Sequence, residues 1–456
     1  MKAEGFPAFV PAGSRLGAGP HRVLIVGGGA GGLELAARLG NHAGRRGEAE
    51  VVLVDPALTH LWKPLLHEVA AGTLGPEENE FDYLQQARQH HFRFHLGSLA
   101  GLDRENKEVW LEALVDEEGN EVAPRRCLWY DTLVLAIGCV DNDFGTPGVR
   151  EYAISLNSVG DAERFHQRLL ALCARAELRE TMAPVQIVIV GGGATGVELA
   201  AELAESVREI ASYGSHLSHL PQPVHICLVE NGQRLLAALP EEVAARIHGE
   251  LLERHIDIRL GQRVTEVKKD RVRVKGEAGD EEISADIAVW AAGIRAPEIL
   301  THLDGLEINR LNQLVVRPTL QTSLDDDIFA LGDCASYVPR PGKPAVPPMA
   351  QAAQQEARFL ARALRRWIAG KPLPTFAFHY RGSLVSLGQH EAVGFLSTML
   401  RGLKVHRFLV GGLFARFSYW ALYRRHVAAL LGIARTLLAT LGGWLSGRSH
   451  PRVKLH

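Results

Sequence analysis

The chain has 456 residues, a formal net charge of −2 and 46% hydrophobic residues, enough for about three domains with sizeable cores. That balance excludes a disordered chain and, for the molecule as a whole, a nucleic-acid partner. The five cysteines (Cys127, Cys139, Cys173, Cys227 and Cys334) are odd in number and scattered, which excludes a disulfide scaffold and points to a reducing compartment.

In chain order, residues 1–20 read as a loose leader, because Pro7, Pro11 and several glycines interrupt any apolar centre of a signal peptide. Val23 to Leu39, VLIVGGGAGGLELAARL, then runs from an apolar strand through Gly27, Gly29 and Gly32 into the helical pattern of Leu33, Leu35, Ala36 and Leu39. In a dinucleotide-binding unit the first glycine makes the tight turn, the second admits a pyrophosphate and the third lets helix and strand close up. A second strand, Val51 to Val54, ends at Asp55, about twenty residues beyond the glycines, where an acid accepts hydrogen bonds from a ribose. Leu133 to Gly138 is a further apolar strand ending in glycine.

The same sentence is then written again. Ile187 to Leu203, IVIVGGGATGVELAAEL, repeats the pattern with Gly191, Gly193 and Gly196, and the strand His225 to Val229 ends at Glu230. A lone glycine motif is weak evidence, whereas two in full strand-helix context predict two nucleotide cofactors. Glu230 suits the 2′-hydroxyl of NADH and repels the 2′-phosphate of NADPH, although Arg234 stands close enough to soften that choice. Glu198, in the first turn of the second helix, matches Glu34 in the first copy. It reads either as a complement to the helix dipole or as a functional acid. Ile287 to Ala292, ending in Gly293, echoes Leu133 to Gly138 and implies one dinucleotide domain nested in another.

Asp327 to Cys334 closes on Gly332 and Asp333, an acid placed to bind a polyol chain. Together with Leu133 to Gly138 this resembles the FAD domain of the two-dinucleotide-binding-domain flavoproteins. The first nucleotide is then FAD and the second NADH. Leu61 to Leu74 (LWKPLLHEVAAGTL), Asn142 to Gly148 (NDFGTPG) and Pro348 to Glu356 (PMAQAAQQE) narrow the likeness. They resemble loops and the A-Q-x-A-x-Q quinone motif of type II NADH:quinone oxidoreductases, non-proton-pumping respiratory NADH dehydrogenases. The resemblance runs from about His21 to the C-terminus.

It implies that Pro64 approaches the flavin, that Glu198 faces the nicotinamide, and that Gln351, Gln355 and Arg381 serve the quinone. Five positions depart from the family pattern: Trp62, His67, Cys139 and the pair Glu356-Ala357. Physically, Pro347 and Pro348 are expected to start a helix whose stripe is Ala350, Ala353, Ala357, Leu360 and Leu364, with Arg362, Arg365 and Arg366 toward its C-terminal end. Gln351 and Gln355 then share a face one turn apart; solvated surface glutamines are the plain alternative. No nucleophilic serine or cysteine constellation and no metal cluster is evident.

Ala392 to His456 contains no Asp or Glu but ten Lys and Arg. Val427, Leu430, Leu431, Ala434, Leu437, Leu438, Leu441 and Leu445 predict one helix with a continuous apolar face, preceded by Phe414, Phe417, Tyr419, Trp420, Leu422 and Tyr423. Basic residues beside leucines and aromatics suit a membrane interface with anionic lipids, and a homodimerisation helix pair is the other use for such a face. Arginines interrupt every apolar run too often for a transmembrane span.

The expected architecture is α/β: two Rossmann-like dinucleotide-binding domains, one nested in the other, plus a C-terminal amphipathic helical attachment region. Its divisions are a FAD domain over 21–152 and 318–395, an NADH domain over 153–317, and a membrane-interface region over 396–456. The implied enzyme sits on the cytoplasmic face of the cell membrane. The alternatives are a soluble NAD(P)H flavoprotein reductase of another acceptor and an NADH-switched signalling flavoprotein.

Overall fold

The computed structural model describes residues 19–116, 118–178, 184–212, 224–340, 342–388, 391–397 and 407–446. Residues 1–18 of the expected leader and the basic residues Arg401, Lys404, Arg448, Arg452 and Lys454 lie outside them. The described chain divides into two compact units. One takes Met1–Trp62, Glu80–Val140 and Arg295–His379; the other takes Lys63–Asn79, Asp141–Ile294 and Tyr380–His456.

The first unit is built on a five-stranded parallel sheet in the order Ile328–Ala330, Thr132–Leu135, His21–Val26, Ala49–Asp55, Arg93–Leu96. Val23 pairs with Val51 on one side and with Thr132 on the other. Leu24, Ile25, Leu53, Val54, Leu133 and Val134 have no exposed surface, which explains why these strands read as unbroken apolar runs rather than alternating ones. The helix Ala30–Leu39 follows the first strand and packs against the glutamine helix, Ala350–Ile368.

The second unit repeats the plan. Its parallel sheet has the order Ala153–Ser155, Ile287–Trp290, Val185–Val190, Val224–Val229, Asp257–Arg259. Val188, Val190, Cys227, Val229, Ala288 and Trp290 form one buried cluster with Val264, Val267, Val272 and Val274 of a neighbouring antiparallel hairpin sheet. A separate antiparallel sheet, Gly382–Ser386, Ala392–Ser397 and Arg407–Gly411, carries the helix Gly412–Leu431.

The units divide at different points from those expected. Residues 295–317 belong to the first unit because Leu314–Val316 pairs in parallel with Ala335–Tyr337. Asp141 onward joins the second because Asn142 donates its N–H to the Gly293 carbonyl (3.2 Å) and Trp290 Nε1 donates to the Asn142 carbonyl (2.8 Å). The short helix Leu66–Ala71, far from that domain in sequence, also joins it by packing on the helices Val159–Leu178 and Ala194–Ser212.

The single amphipathic tail helix is replaced by two helices, Gly412–Leu431 and Ile433–Ser446. Gly432 sits at φ +81°, which an L side chain rarely adopts, and Thr436, one turn into the second helix, donates its hydroxyl back to the Gly432 carbonyl at 2.8 Å. The break divides the leucines. Val427 and Leu430 are buried, whereas Ile433, Leu437, Leu438 and Leu441 are 55–74% exposed; the Leu445, Phe414 and Arg416 side chains lie outside the described set. Among the described residues no helix is long and apolar enough to cross a membrane.

Candidate active site

At both glycine loops the third glycine meets a steric demand. A Cβ on Gly32 would stand 1.8 Å from the Gly27 carbonyl oxygen, and one on Gly196 would stand 2.0 Å from that of Gly191. Gly29 and Gly193 are different: a Cβ on either would meet no protein atom within 4 Å. Glycine there is not required by the protein's own packing, so each loop leaves an open cradle before a helix N-terminus, suited to a pyrophosphate. Gly138, at φ +71°, likewise leaves open backbone in the first unit; a Cβ on Gly332, at the same φ, would touch the Ala353 Cβ at 3.4 Å, and Gly293 lies under the Phe144 ring in the second unit.

The acids at the strand ends do the same local work twice. Asp55 accepts the Gly28 N–H at 2.7 Å and the Ala57 N–H at 2.9 Å; Glu230 accepts those of Gly192 at 2.7 Å and Gly232 at 2.6 Å. Each acid fixes the glycine turn. Arg234, the residue that threatened the nucleotide preference, donates to the Leu239 carbonyl (3.0 Å) and the Ala237 carbonyl (2.7 Å) and so braces its own loop. Tyr83 had no motif to reveal it. It is buried, stacks on Phe94 and donates to the Gly28 carbonyl at 2.8 Å, and a Cβ on Gly28 would collide with it.

Further along the first unit, Cys139 Sγ donates to Asp333 Oδ2 at 3.2 Å, and Gln313 Nε2 donates to the Asp333 carbonyl at 2.9 Å. Glu356, buried on the glutamine helix, accepts the Gly332 N–H at 2.6 Å; burial raises its pKa to about 7, with the Asp333 charge adding to it. The helix itself begins at Ala350, with Met349 rather than a proline as its cap. Gln351 and Gln355 are both half-buried. Gln355 is already engaged at both ends of its amide: Nε2 donates to the His379 carbonyl (2.9 Å) and Oε1 accepts the His379 N–H (3.1 Å). It behaves as a strand partner.

The second unit brings Glu198 and the proline-leucine loop together. Glu198 Oε1 accepts the Ser386 N–H at 3.0 Å, and Oε2 lies 3.8 Å from His67 Nδ1. Both side chains are buried, and burial pushes them in opposite directions: Glu198 up to about 8, helped by the neighbouring Glu202 charge, and His67 down to about 4. At neutral pH the pair is an uncharged acid beside an uncharged imidazole. Pro64 presents its carbonyl to Tyr419 Oη (3.3 Å) and to the His67 ring, while His67 Nε2 has no hydrogen-bond partner. Arg381, by contrast, is exposed at the start of the C-terminal sheet. His67 entered the sequence reading only as a departure from pattern, and Ser386 gave no signal at all.

Residues 21–357 match the family described as pyridine nucleotide-disulphide oxidoreductase. The chain is 42% identical over 449 residues to the type II NADH:quinone oxidoreductase of Haemophilus influenzae, covering 95% of this chain and 99% of that one. It is 28% identical over 440 residues to the NdhA type II NADH:quinone oxidoreductase of Mycobacterium tuberculosis, covering 93% and 87%. The solved structure of NDH2 from Plasmodium falciparum in complex with NADH superposes with a TM-score of 0.78 over 96% of this chain and 99% of that chain; at 18% identity the likeness shows the fold alone.

Proposed function

The chain belongs to the type II NADH:quinone oxidoreductase family and so oxidises NADH and reduces a quinone through FAD; we propose how its residues divide that work. Gly27, Gly29, Gly32, Asp55, Gly138, Gly332 and Asp333 hold FAD, with Tyr83 bracing the glycine turn. Gly191, Gly193, Gly196, Glu230 and Gly293 hold NADH. The paired geometry of Asp55 on Gly28 and Glu230 on Gly192 carries this reading, since each acid leaves an open cradle beside it. FAD, when bound, accepts the hydride and returns two electrons. The protein binds, orients and handles protons.

Glu198, neutral and buried at pH 7, is the acid that gives a proton on the acceptor side, with Pro64 and His67 shaping its surroundings. Gln351 contacts quinone. Gln355 positions the His379 backbone, and Arg381 offers an exposed positive charge close after it in the chain. Anaerobic mixing of the holoenzyme with NADH or NADPH, then with ubiquinone and menaquinone analogues, tests the whole reading. Rapid flavin bleaching by NADH and rapid recovery with a quinone are expected. Bleaching without recovery by any quinone would move the protein to the signalling class.

Attachment to a membrane surface falls to Ile433–Ser446. Its exposed Ile433, Leu437, Leu438 and Leu441 stand with exposed Arg425 and Arg435, while Phe417, Trp420 and Leu422 are exposed on the helix before it. A chain ending at Gly432 keeps Tyr419, Tyr423 and His426 in place. It should reduce a water-soluble acceptor at the full rate yet leave anionic vesicles. Should it stay on the vesicles, the exposed leucines belong to a second copy of the chain instead.

A further inference from the structure

Below Glu198 the helix Ala194–Ser212 carries Glu202, Glu205 and Glu209, at steps of four, three and four residues. At about 100° per residue these four carboxyls fall within about 60° of arc and span about 16 Å of helix axis. Glu198 and Glu202 are buried, at 8% and 2% exposure, whereas Glu205 and Glu209 are half-buried. Like charges at such steps destabilise a helix, by about 0.2–0.5 kcal/mol per pair, and more when desolvated.

The surroundings of the stripe are polar where a packed helix interface would be apolar. Thr73, just after the loop helix, donates its hydroxyl to Glu202 Oε1 at 2.6 Å. Ser206 is 1% exposed, lies one turn beyond Glu202, and its Oγ has no hydrogen-bond partner. At the inner end His67 stands 97% buried, its Nε2 without a hydrogen bond and 3.9 Å from Glu68 Oε1, and its Nδ1 facing Glu198. The other titratable groups facing this region are Glu68 of the loop helix, His166 against Ala70 and Gly72, and Tyr419 and Tyr423 of the helix Gly412–Leu431. Neighbouring carboxyls at these steps have Cβ atoms about 5–6 Å apart, a gap that one bridging water closes.

We infer that Glu209, Glu205 and Glu202, with the Thr73 hydroxyl, form an intake path that carries a proton inward along this helix to Glu198. The reaction needs such a path, and this inference rests on the quinone reading above. NADH gives up one hydride, that is one proton and two electrons; the quinone takes two electrons and two protons; so one proton per turnover must come from solution. It arrives at Glu209, passes through Glu205 and Glu202, and replaces the proton that Glu198 has given to a quinone oxygen.

Ferricyanide separates this proposal from a structural role and from the quinone reading. It takes electrons without protons, so NADH oxidation by ferricyanide draws no proton inward. In the holoenzyme, Glu202→Gln should lower quinone turnover by about tenfold at pH 7 and by more as pH rises, with an enlarged solvent isotope effect. Flavin bleaching by NADH and ferricyanide turnover should stay within about twofold of wild type. Glu202→Asp, or millimolar formic acid added to Glu202→Gln, should restore part of the quinone rate. If Glu202→Gln fails to hold FAD, Thr73→Val and Glu209→Gln carry the test, with the same pH signature and smaller losses. Unchanged quinone turnover in Thr73→Val and Glu202→Gln at every pH overturns the path. So does an equal fall with ferricyanide, which marks the stripe as structural. A wild-type enzyme that reduces ferricyanide but no quinone removes the reading on which the path rests.

Discussion

Glu34 and Glu198 occupy the same place in two copies of one motif, two residues after the third glycine, and the protein uses them in opposite ways. Glu34 has no exposed surface and receives Arg38 at 2.8 Å from its own helix and Arg358 at 2.6 Å from the glutamine helix. It is a buried charge held by arginines, fastening two helices of the first unit. Glu198 meets a backbone amide and a neutral imidazole, and burial keeps its proton on at neutral pH. A repeated sequence therefore sets where an acid stands; the elements arriving from elsewhere set what it does.

Replacing each acid by its amide breaks or sharpens that contrast. The largest effect is expected at Glu198→Gln, which keeps the shape and the bond from Ser386 but has no proton to give. Quinone turnover should fall by about 10²–10⁴-fold while flavin reduction by NADH survives, as stopped-flow half-reactions would show. Comparable quinone turnover would reduce Glu198 to a packing residue. Glu34→Gln should do the reverse. It leaves two arginines without their carboxylate, and because Arg38 is 40% exposed and Arg358 24%, solvent offsets part of the loss. About 1–2 kcal/mol of stability is expected to go, visible as earlier FAD release on heating, with the quinone half-reaction unaltered.

The strand-end acids give a smaller contrast, since both brace their glycine turns and differ in chain length. Glu230→Gln keeps one acceptor for the turn and removes the charge that would repel a 2′-phosphate. The NADH over NADPH ratio of kcat/KM should narrow by about 1–3 kcal/mol. With Arg234 held by two loop carbonyls, no cation moves in to reverse the preference. A ratio that does not change would take Glu230 out of the adenosine pocket.

Both glycine frames, both strand-end acids and the glutamine helix were legible because they rest on local rules: a backbone approach that only glycine allows, a buried parallel strand that must be apolar throughout, a helix stripe at fixed steps. What escaped was assembled over distance. Tyr83 reaches Gly28 across 55 residues and Ser386 reaches Glu198 across 188, and no spacing in the sequence announces either. The tail failed for another reason. The three- and four-residue steps continue smoothly through Gly432, so periodicity alone joins two helices that one left-handed glycine separates. The acid stripe below Glu198 gave no signal in the sequence by itself. Its meaning depended on Thr73 and His67, which come from a loop more than a hundred residues upstream.

The smallest expected effect on activity belongs to Glu356, a buried acid in the first unit that resembles Glu198 in burial and Glu34 in having a fixed partner. Its folded pKa, about 7, stands above the ordinary value of 4.5. Between those values the folded chain holds a proton that the unfolded chain has released, so the stability that Glu356 contributes as a neutral acid is lost as pH rises from 4.5 to about 7 and is level above it. Glu356→Gln removes this slope and still accepts the Gly332 N–H. The variant should match wild type near pH 5 and exceed it near pH 8 by about 2–3 kcal/mol, visible as a higher temperature of FAD release. A gap that widens toward acid pH instead would mean that Glu356 is ionised in the fold, its charge held by the Gly332 amide as Glu34 is held by its arginines.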